Sequence, residues 1–219
     1  MVENKIKVFD KTEKVLKYLI TTPSNYSKEE KLPLLVFLHG AGERGDNLEL
    51  VKVHGIPKLF SKNPDYGNLR VVTLSPQCPN NLTWYDFKWE IVDLIKDTIE
   101  EYNIDKNHVS LSGISMGGFG TWEIAIQSPD LFSCIAPICG GGTNFRTWYI
   151  RNIPTRVYHG KLDDTVPISY SESMVNSLKQ QGGIVDFIVY DDLSHDCWTR
   201  AFEQTDLIQW LAKTERRYE

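Results

Sequence analysis

The stretch HVSLSGISMGGFGTWEIAI, residues 108–126, starts as an apolar run, turns at glycines around a serine, and resumes with a helical pattern. Gly113, Ser115 and Gly117 have the spacing G-x-S-x-G. A turn tight enough to lift the serine side chain clear of a sheet leaves no space for side chains two positions before and after it, and glycine avoids that collision. The pattern therefore predicts a strand, a sharp turn at Ser115 and a helix.

Two other interpretations of this turn are a glycine-rich connection with an incidental serine and a phosphate-binding loop. The lysine that a P-loop requires does not follow, and G-x-G-x-x-G is absent from the turn. Gly118 and Gly120 would let the new helix lie close to its neighbours. The position of the motif between a strand and a helix favours a nucleophilic serine.

Short apolar runs alternate with amphipathic segments along the chain. The runs cover residues 32–40, 69–76, 108–113, 132–140, 153–160 and 184–192. Continuous apolar strands are typical of parallel sheets covered on both faces. Helices are predicted where apolar residues recur at helical spacing, at residues 87–99, 115–127, about 168–181 and about 198–213. This order predicts an α/β fold with a mostly parallel, doubly wound sheet.

The N-terminal residues have a different pattern. KIKVFD (5–10) and KVLKYLITT (14–22) precede the first parallel strand and predict an antiparallel pair at one edge of the sheet. No internal repeat, low-complexity tract or linker divides the sequence. A single domain over residues 1–219 is therefore expected.

Composition excludes several classes of function. The formal net charge of the 219 residues is −5 and no cluster of Lys and Arg occurs, so nucleic acid is a poor candidate partner. The N-terminus lacks the apolar core of a signal peptide and no run is long enough to cross a bilayer, so a cytoplasmic protein without a membrane partner is expected. Four scattered cysteines without a CxxC pair indicate buried free thiols rather than disulfides or a metal site.

A serine nucleophile needs a base, and the base needs an acid that orients it. In this fold the expected chain order is Ser, then Asp or Glu, then His. HGKLDDTVP (159–167) follows one predicted strand, and His195 follows the last one. We expect His195 to be the base and Asp163 the acid, with Asp164 as the alternative acid or else a solvated neighbour.

The other four histidines are weaker candidates for the base. His39 and His159 precede glycines at strand ends, where imidazoles more often make local hydrogen bonds, and His54 and His108 lie outside the required order.

Attack by a serine also requires an oxyanion hole, in which two backbone N–H groups stabilise the developing negative charge. The residue after the nucleophile, Met116, should supply one donor. The loop HGAGERG (39–45) should supply the other from Ala41, although a merely structural glycine-rich loop is the alternative. Glu43 and Arg44 are interpreted as a pair that stabilises this loop.

Five motifs together resemble the α/β-hydrolase superfamily. They are HGAGERGDN, SPQCP, GISMGG, HGKLDDTVP and LSHDCW, which span about residues 30 to 213 with their intervening elements. The sequence is similar to the branch of small carboxylesterases described as predicted peptidases or phospholipase/carboxylesterases, with feruloyl esterases and polyhydroxybutyrate depolymerases as similar relatives. The resemblance implies a serine esterase without metal or cofactor, which acts through Ser115, Asp163 and His195.

Many relatives carry a helical cap where this chain has only residues 140–152, so no large cap and an open cleft are expected. Trp84 and Trp198 are the preferred substrate contacts, with Tyr85 and Trp148 as further candidates, but core packing explains such aromatics equally well. The expected substrates are short acyl or aryl esters, including acetyl and feruloyl esters, either as small molecules or displayed on a carrier.

Three other functions remain alternatives from the sequence. A thioesterase or deacylase would use the same residues, and so would a small serine peptidase, although prolyl-oligopeptidase-type peptidases usually need an additional gating domain. A non-catalytic binding module would be expected to have lost one of the three residues. The sequence leaves the oligomeric state open.

Overall fold

The computed structural model describes residues 1–9 and 14–217. Its strands are β1 (Val2–Phe9), β2 (Lys14–Thr21), β3 (Leu32–Leu38), β4 (Val72–Gln77), β5 (Ile104–Ile114), β6 (Cys134–Ile138), β7 (Thr155–Gly160) and β8 (Val185–Tyr190). They form one sheet in the order β1-β2-β4-β3-β5-β6-β7-β8. The β1–β2 and β2–β4 pairs are antiparallel, and every other pair is parallel. Both the parallel sheet and its antiparallel N-terminal edge were predicted correctly, but Asp10 lies outside the described residues.

In the part of the chain that the structure describes, six α-helices cover the two faces of the sheet. They are α1 (Gly55–Lys62), α2 (Lys88–Glu101), α3 (Met116–Gln127), α4 (Ser169–Gln180), α5 (Trp198–Gln204) and α6 (Leu207–Lys213). Leu34 and Val36 of β3 pack in one core cluster with α2, α3 and α4, whereas Leu35 and Phe37 pack in a second cluster with α1, α5 and α6. Because successive strand residues point to opposite faces, the sheet is covered on both sides and is doubly wound, as predicted.

Two helix predictions differ from the structure. The single helix predicted over about 198–213 is two helices, because Thr205 has an extended backbone with φ −126° and ψ −178°. The Thr205 hydroxyl accepts a hydrogen bond from the Leu207 N–H at 3.1 Å, which starts helix α6. Helix α1 was not predicted, although Ile56, Leu59 and Phe60 have helical spacing and Pro57 suits a first turn.

The loops at the carboxyl ends of the parallel strands lie at one edge of the sheet. The segment between β6 and β7 holds only a short 3₁₀ helix over Asn144–Ile150, so the prediction of no large cap is confirmed. All four cysteines are buried and free, as predicted. None of the helices in the described part of the chain has the length and apolar character that a membrane crossing requires.

Candidate active site

The turn between β5 and α3 holds Ser115 in a strained conformation. Its φ of 53° and ψ of −117° lie in a region that residues other than glycine rarely adopt. A Cβ atom on Gly113 would lie 2.2 Å from the Gly117 carbonyl oxygen, and one on Gly117 would lie 1.9 Å from the Leu38 carbonyl oxygen. The two glycines are therefore required by backbone contacts on both sides of the serine, as the G-x-S-x-G spacing predicts.

We expect Gly117→Ala to destabilise the fold by about 3 kcal/mol or more, because the new methyl group would overlap backbone atoms that cannot rotate away. Gly42→Ala is the matched control, since nothing lies within 4 Å of the Cβ position at Gly42. The control should change stability by less than about 0.5 kcal/mol. Urea unfolding of both variants measures the difference, and similar values would contradict the close backbone packing.

Side chains from three strand ends form a hydrogen-bonded chain. His195, in the loop after β8, has its Nε2 atom 2.9 Å from Ser115 Oγ. Its Nδ1 atom is 2.7 Å from Asp163 Oδ2, in the loop after β7. The three candidate residues, which lie far apart in the sequence, therefore meet at the carboxyl edge of the sheet.

The two neighbouring aspartates differ in their surroundings. The Asp163 side chain is fully buried, and its Oδ1 atom accepts hydrogen bonds from the N–H groups of Thr165 at 3.0 Å and Val166 at 2.9 Å. Asp164 is exposed and makes only a long contact of 3.4 Å with the Thr165 hydroxyl. Asp163 is thus the carboxylate that contacts His195, and Asp164 lies in solvent beside it.

A second imidazole contacts Asp163 and was not predicted as part of the site. His159 Nε2 is 3.2 Å from Asp163 Oδ2 and 2.8 Å from the Val166 carbonyl oxygen. Its Nδ1 atom is 2.8 Å from the Ser171 hydroxyl of helix α4. Burial lowers the pKa of His159, which favours a neutral ring. His159 therefore fixes the position of the carboxylate, and its spacing four residues before Asp163 was the available sequence signal.

His39 is a buried structural histidine, as its position before a glycine predicted. Its Nδ1 atom is 2.6 Å from the Gly40 carbonyl oxygen, and its Nε2 atom accepts the Cys78 N–H at 2.9 Å. The Trp84 ring lies at an angle to it, with the centroids 4.8 Å apart, and Trp84 Nε1 donates to the His39 carbonyl oxygen at 2.9 Å. These contacts hold a neutral imidazole at the base of the loop that starts at Gly40.

Burial lowers the pKa of the His39 imidazole to about 4. An unfolded chain takes up this proton near the ordinary histidine pKa of about 6.5, so the unfolded state binds more protons in between. We expect the free energy of unfolding to fall by up to about 3 kcal/mol from this group as the pH drops from 6.5 to 4. Urea unfolding at several pH values measures this effect. The free energy of unfolding of His39→Gln should change less between pH 6.5 and 4 than that of the wild type. An equal change in both proteins would show that His39 is not the group responsible.

The candidate oxyanion loop lies directly beside Ser115. A Cβ atom on Gly40 would be 3.7 Å from Ser115 Cβ. Ala41 starts a short 3₁₀ helix over Ala41–Glu43, and Met116 starts helix α3. The first N–H groups of a helical segment have no acceptor within that segment, so these residues carry donors suited to an anion.

The predicted pairing of Glu43 with Arg44 is wrong. Arg44 Nε donates to the Ala41 carbonyl oxygen at 2.9 Å, and its Nη1 atom donates to the Leu82 carbonyl oxygen at 3.3 Å. The bond to Ala41 closes the loop on itself, and the bond to Leu82 joins the loop to the segment before Trp84. Glu43 instead faces His39 and His54, at distances of 4.0 Å and 3.8 Å. Backbone carbonyl oxygens compete with carboxylates for the guanidinium group of an arginine. The adjacent positions of Glu43 and Arg44 in the sequence therefore did not show which acceptor Arg44 would bind.

A cavity of about 590 Å³ opens next to the turn at Ser115. Its lining residues are Thr83, Trp84, Tyr85, Met116, Phe119, Gly120, Glu123, Gly142 and Thr143. Trp84 and Tyr85 thus border the cavity, Trp84 as a buried side chain and Tyr85 as an exposed one. Trp198 lies elsewhere, with its ring centroid 5.2 Å from that of His195. Trp148 is partly exposed and stacks on Tyr149, with the centroids 3.7 Å apart.

One group of potential metal ligands occurs in the described part of the chain. Ligand atoms of Cys139, Asp163 and His195 lie within 4.8 Å of one another. However, Asp163 and His195 are hydrogen-bonded to each other, and the Cys139 thiol donates to the His195 carbonyl oxygen at 3.4 Å. Burial raises the pKa of Cys139 well above its ordinary value, so the thiol stays protonated. These contacts suit proton transfer better than metal binding.

Family models match most of the sequence. The model described as Phospholipase/Carboxylesterase matches residues 86–214, which include Ser115, Asp163 and His195. A second model, described as an esterase, matches residues 10–145 and covers the loop that begins at Gly40.

Two curated relatives match shorter stretches. A bifunctional acetylxylan esterase/xylanase from Neocallimastix patriciarum is 26% identical over 170 residues, which are 74% of this chain and 23% of the relative. A cutinase from Thermobifida alba is 37% identical over 76 residues, which are 34% of this chain and 25% of the cutinase. The chain thus spans about a quarter of the length of these relatives.

Solved structures are similar over the whole chain. A thermostable esterase is 30% identical with a TM-score of 0.89, and the match covers 98% of this chain and 63% of the esterase. A feruloyl esterase module from Clostridium thermocellum has a TM-score of 0.78 at 14% identity, with 100% and 90% of the two chains covered, and therefore supports the fold alone. The G-x-S-x-G turn at Ser115, the doubly wound sheet and the family-model match together show that the chain belongs to the phospholipase/carboxylesterase family of α/β-hydrolases.

Proposed function

We propose that the protein is a serine carboxylesterase that hydrolyses short acyl or aryl esters. The observation that carries this proposal is the continuous hydrogen-bonded chain from the Ser115 hydroxyl through His195 to the buried Asp163 carboxylate. A serine on a strained turn, a base within hydrogen-bond distance and an acid behind the base are the parts that acyl transfer requires.

In the first step, Ser115 Oγ attacks the ester carbonyl carbon while His195 Nε2 accepts the hydroxyl proton. The N–H groups of Ala41 and Met116 stabilise the oxyanion of the tetrahedral intermediate. The intermediate then collapses, the bond to the alcohol oxygen breaks, and His195 returns the proton to the departing alcohol. An acyl group remains on Ser115.

In the second step, His195 takes a proton from water as the water oxygen attacks the acyl-enzyme. The second tetrahedral intermediate releases the carboxylic acid and restores the serine hydroxyl. Asp163 accepts a hydrogen bond from Nδ1 throughout, which keeps Nε2 free to accept a proton and stabilises the imidazolium. No metal or cofactor takes part in these steps.

The cavity beside Met116 supports the choice of acyl group. Its volume of about 590 Å³ suits an acetyl to arylacyl group, and Trp84 and Phe119 offer aromatic surface. The curated relative named as an acetylxylan esterase supports the lower end of this range, because acetyl is the smallest acyl group in that range. The substrate is a small ester or an acyl group displayed on a carrier.

The test compares an oxygen ester, a thioester and an anilide that carry the same acyl group, first acetyl and then feruloyl. We expect the largest kcat/KM for the oxygen ester. A preference for the thioester would assign the site to thioesterase or deacylase activity, and a preference for the anilide would assign it to a peptidase. Turnover of none of the three would favour a binding module.

A further inference from the structure

Glu43 is a largely buried carboxylate without a donor. Its side chain is 12% exposed, and Arg44, its neighbour in sequence, bonds to carbonyl oxygens instead. No described residue donates a hydrogen bond to the Glu43 carboxylate. Its nearest charged or titratable partners are the imidazoles of His39, with Nδ1 at 4.0 Å, and His54, with Nε2 at 3.8 Å. The two oxygens of this carboxylate are not among the fully buried, unpartnered polar atoms, so they keep some contact with solvent and a ligand that enters the cleft can donate to them.

The neighbouring imidazoles do not satisfy this carboxylate. His39 already uses Nδ1 on the Gly40 carbonyl oxygen at 2.6 Å and accepts the Cys78 N–H with Nε2. The indole N–H of Trp198 donates to His54 Nδ1 at 3.3 Å, so the proton of a neutral His54 ring lies on Nε2. This N–H faces Glu43 from 3.8 Å, which is longer than a hydrogen bond. A donor and an acceptor are therefore available to a bound hydroxyl group.

Glu43 and His54 also border the reacting atoms. The Cβ position of Gly40 is 3.2 Å from Glu43 Oε2 and 3.7 Å from Ser115 Cβ, so the carboxylate and Ser115 both lie next to this glycine. The Trp198 ring contacts both His54 and His195, with its centroid 5.5 Å from that of His54 and 5.2 Å from that of His195.

This position is on the alcohol side of the ester. His195 protonates the departing alcohol oxygen, so the alcohol must lie next to His195. The 590 Å³ cavity, which suits the acyl group, is lined instead by residues 83–85, 142 and 143 and by helix α3. The described residues that line this cavity do not include Glu43, His54 or Trp198. The alcohol and the acyl group are thus bordered by different side chains.

We propose that Glu43 and His54 bind a hydroxyl group on the alcohol part of the substrate and make the enzyme select esters of polyols. The hydroxyl group donates a hydrogen bond to the Glu43 carboxylate and accepts one from His54 Nε2–H. Glyceride and sugar esters share this chemistry, because both carry a hydroxyl close to the ester oxygen. The inference rests on the proposed esterase function.

The test measures selectivity between alcohols with one carbon skeleton. Glycerol 1-acetate and propyl acetate differ only in the hydroxyl groups of the alcohol. We expect the ratio of their kcat/KM values to favour glycerol 1-acetate in the wild type and to fall about tenfold in Glu43→Met, which loses a charge-assisted hydrogen bond. Glu43→Gln keeps an acceptor and should fall in between.

The control is Glu49→Met, since Glu49 has a 66% exposed side chain that pairs with Lys52 and should not affect the ratio. A second measurement forms the acetyl-enzyme from 4-nitrophenyl acetate and follows its partition between water and added glycerol or 1-propanol. Glu43→Met should reduce transfer to glycerol more than transfer to 1-propanol. A monoacetate of methyl xylopyranoside, compared with cyclohexyl acetate, distinguishes a sugar from a glycerol preference.

If Glu43→Met lowered kcat/KM equally for glycerol 1-acetate and propyl acetate, Glu43 would only support the loop, and the inference would be overturned. An unchanged ratio would do the same. In both cases the wild type would still hydrolyse propyl acetate, and the proposed esterase function would stand. A wild type that hydrolyses none of the acetates and does not react with a fluorophosphonate at Ser115 would overturn both.

Discussion

Ser115→Ala should lower kcat for an acetate ester on the order of 10⁵- to 10⁶-fold. The methyl group cannot form the acyl-enzyme, and the remaining catalysis would come only from substrate binding and the oxyanion donors. Alanine at φ 53° has the same backbone strain as serine, so the melting temperature should change little. The measurement is the rate of hydrolysis with purified variants, with thermal unfolding as the control for folding.

Covalent labelling provides an independent measurement for the same residue. A fluorophosphonate probe should attach to Ser115 in the wild type, because His195 Nε2 is 2.9 Å from its hydroxyl oxygen. The label should disappear in Ser115→Ala. Mass spectrometry that finds the probe on another serine, or an alanine variant that keeps more than a hundredth of the activity, would refute the assignment of the nucleophile.

Asp163→Asn should lower kcat about 10⁴-fold, the second-largest effect expected. An asparagine amide can donate toward His195 Nδ1, which favours the ring tautomer with its proton on Nε2. That tautomer cannot accept the proton of Ser115. Labelling by the fluorophosphonate should slow in parallel, because it depends on the same proton transfer. The comparison of both rates with the wild type measures the role of the carboxylate.

Asp164→Asn is the matched control for this substitution. The two aspartates are adjacent in sequence, but only Asp163 is buried and hydrogen-bonded to His195. The control should keep its kcat within about threefold of the wild type, as expected for a surface position. If Asp164→Asn were instead the more damaging change, the acid would be the alternative that the sequence left open.

The sequence predicts the sheet well because buried parallel strands leave strong local signals. Residues 32–40 and 132–140 are predominantly apolar runs, and the structure has the buried strands Leu32–Leu38 and Cys134–Ile138 within them. Helix α1 was missed because it is only eight residues long and follows a loop with little periodicity. The break at Thr205 was missed because a side-chain hydroxyl replaces a backbone hydrogen bond there, which hydrophobic spacing does not record.

The residues of the candidate active site could be predicted for a topological reason. Ser115, Asp163 and His195 each follow a strand, and parallel strands place their carboxyl ends at one edge. Asp163 and Asp164 differ in how deeply their side chains are buried. Two adjacent aspartates look alike in the sequence, so the sequence does not show which of them is buried. The contacts of His159 and Glu43 depend on how separate loops approach each other in space. Tertiary packing determines which loops come close together, and no repeating pattern of residues in the sequence indicates it.

Strand β8 lies at the edge of the sheet, so the loop that carries His195 is attached to one of the least stable parts of the fold. Strand β8 pairs with β7 alone, most of its residues keep some solvent contact, and His195 is carried by the loop that follows it. Edge elements open at a lower free-energy cost than the centre of a sheet. Under mild denaturing conditions we therefore expect His195 to move away from Ser115 while the central strands stay paired. The protein would therefore lose its activity at a lower denaturant concentration than the one that unfolds the whole sheet.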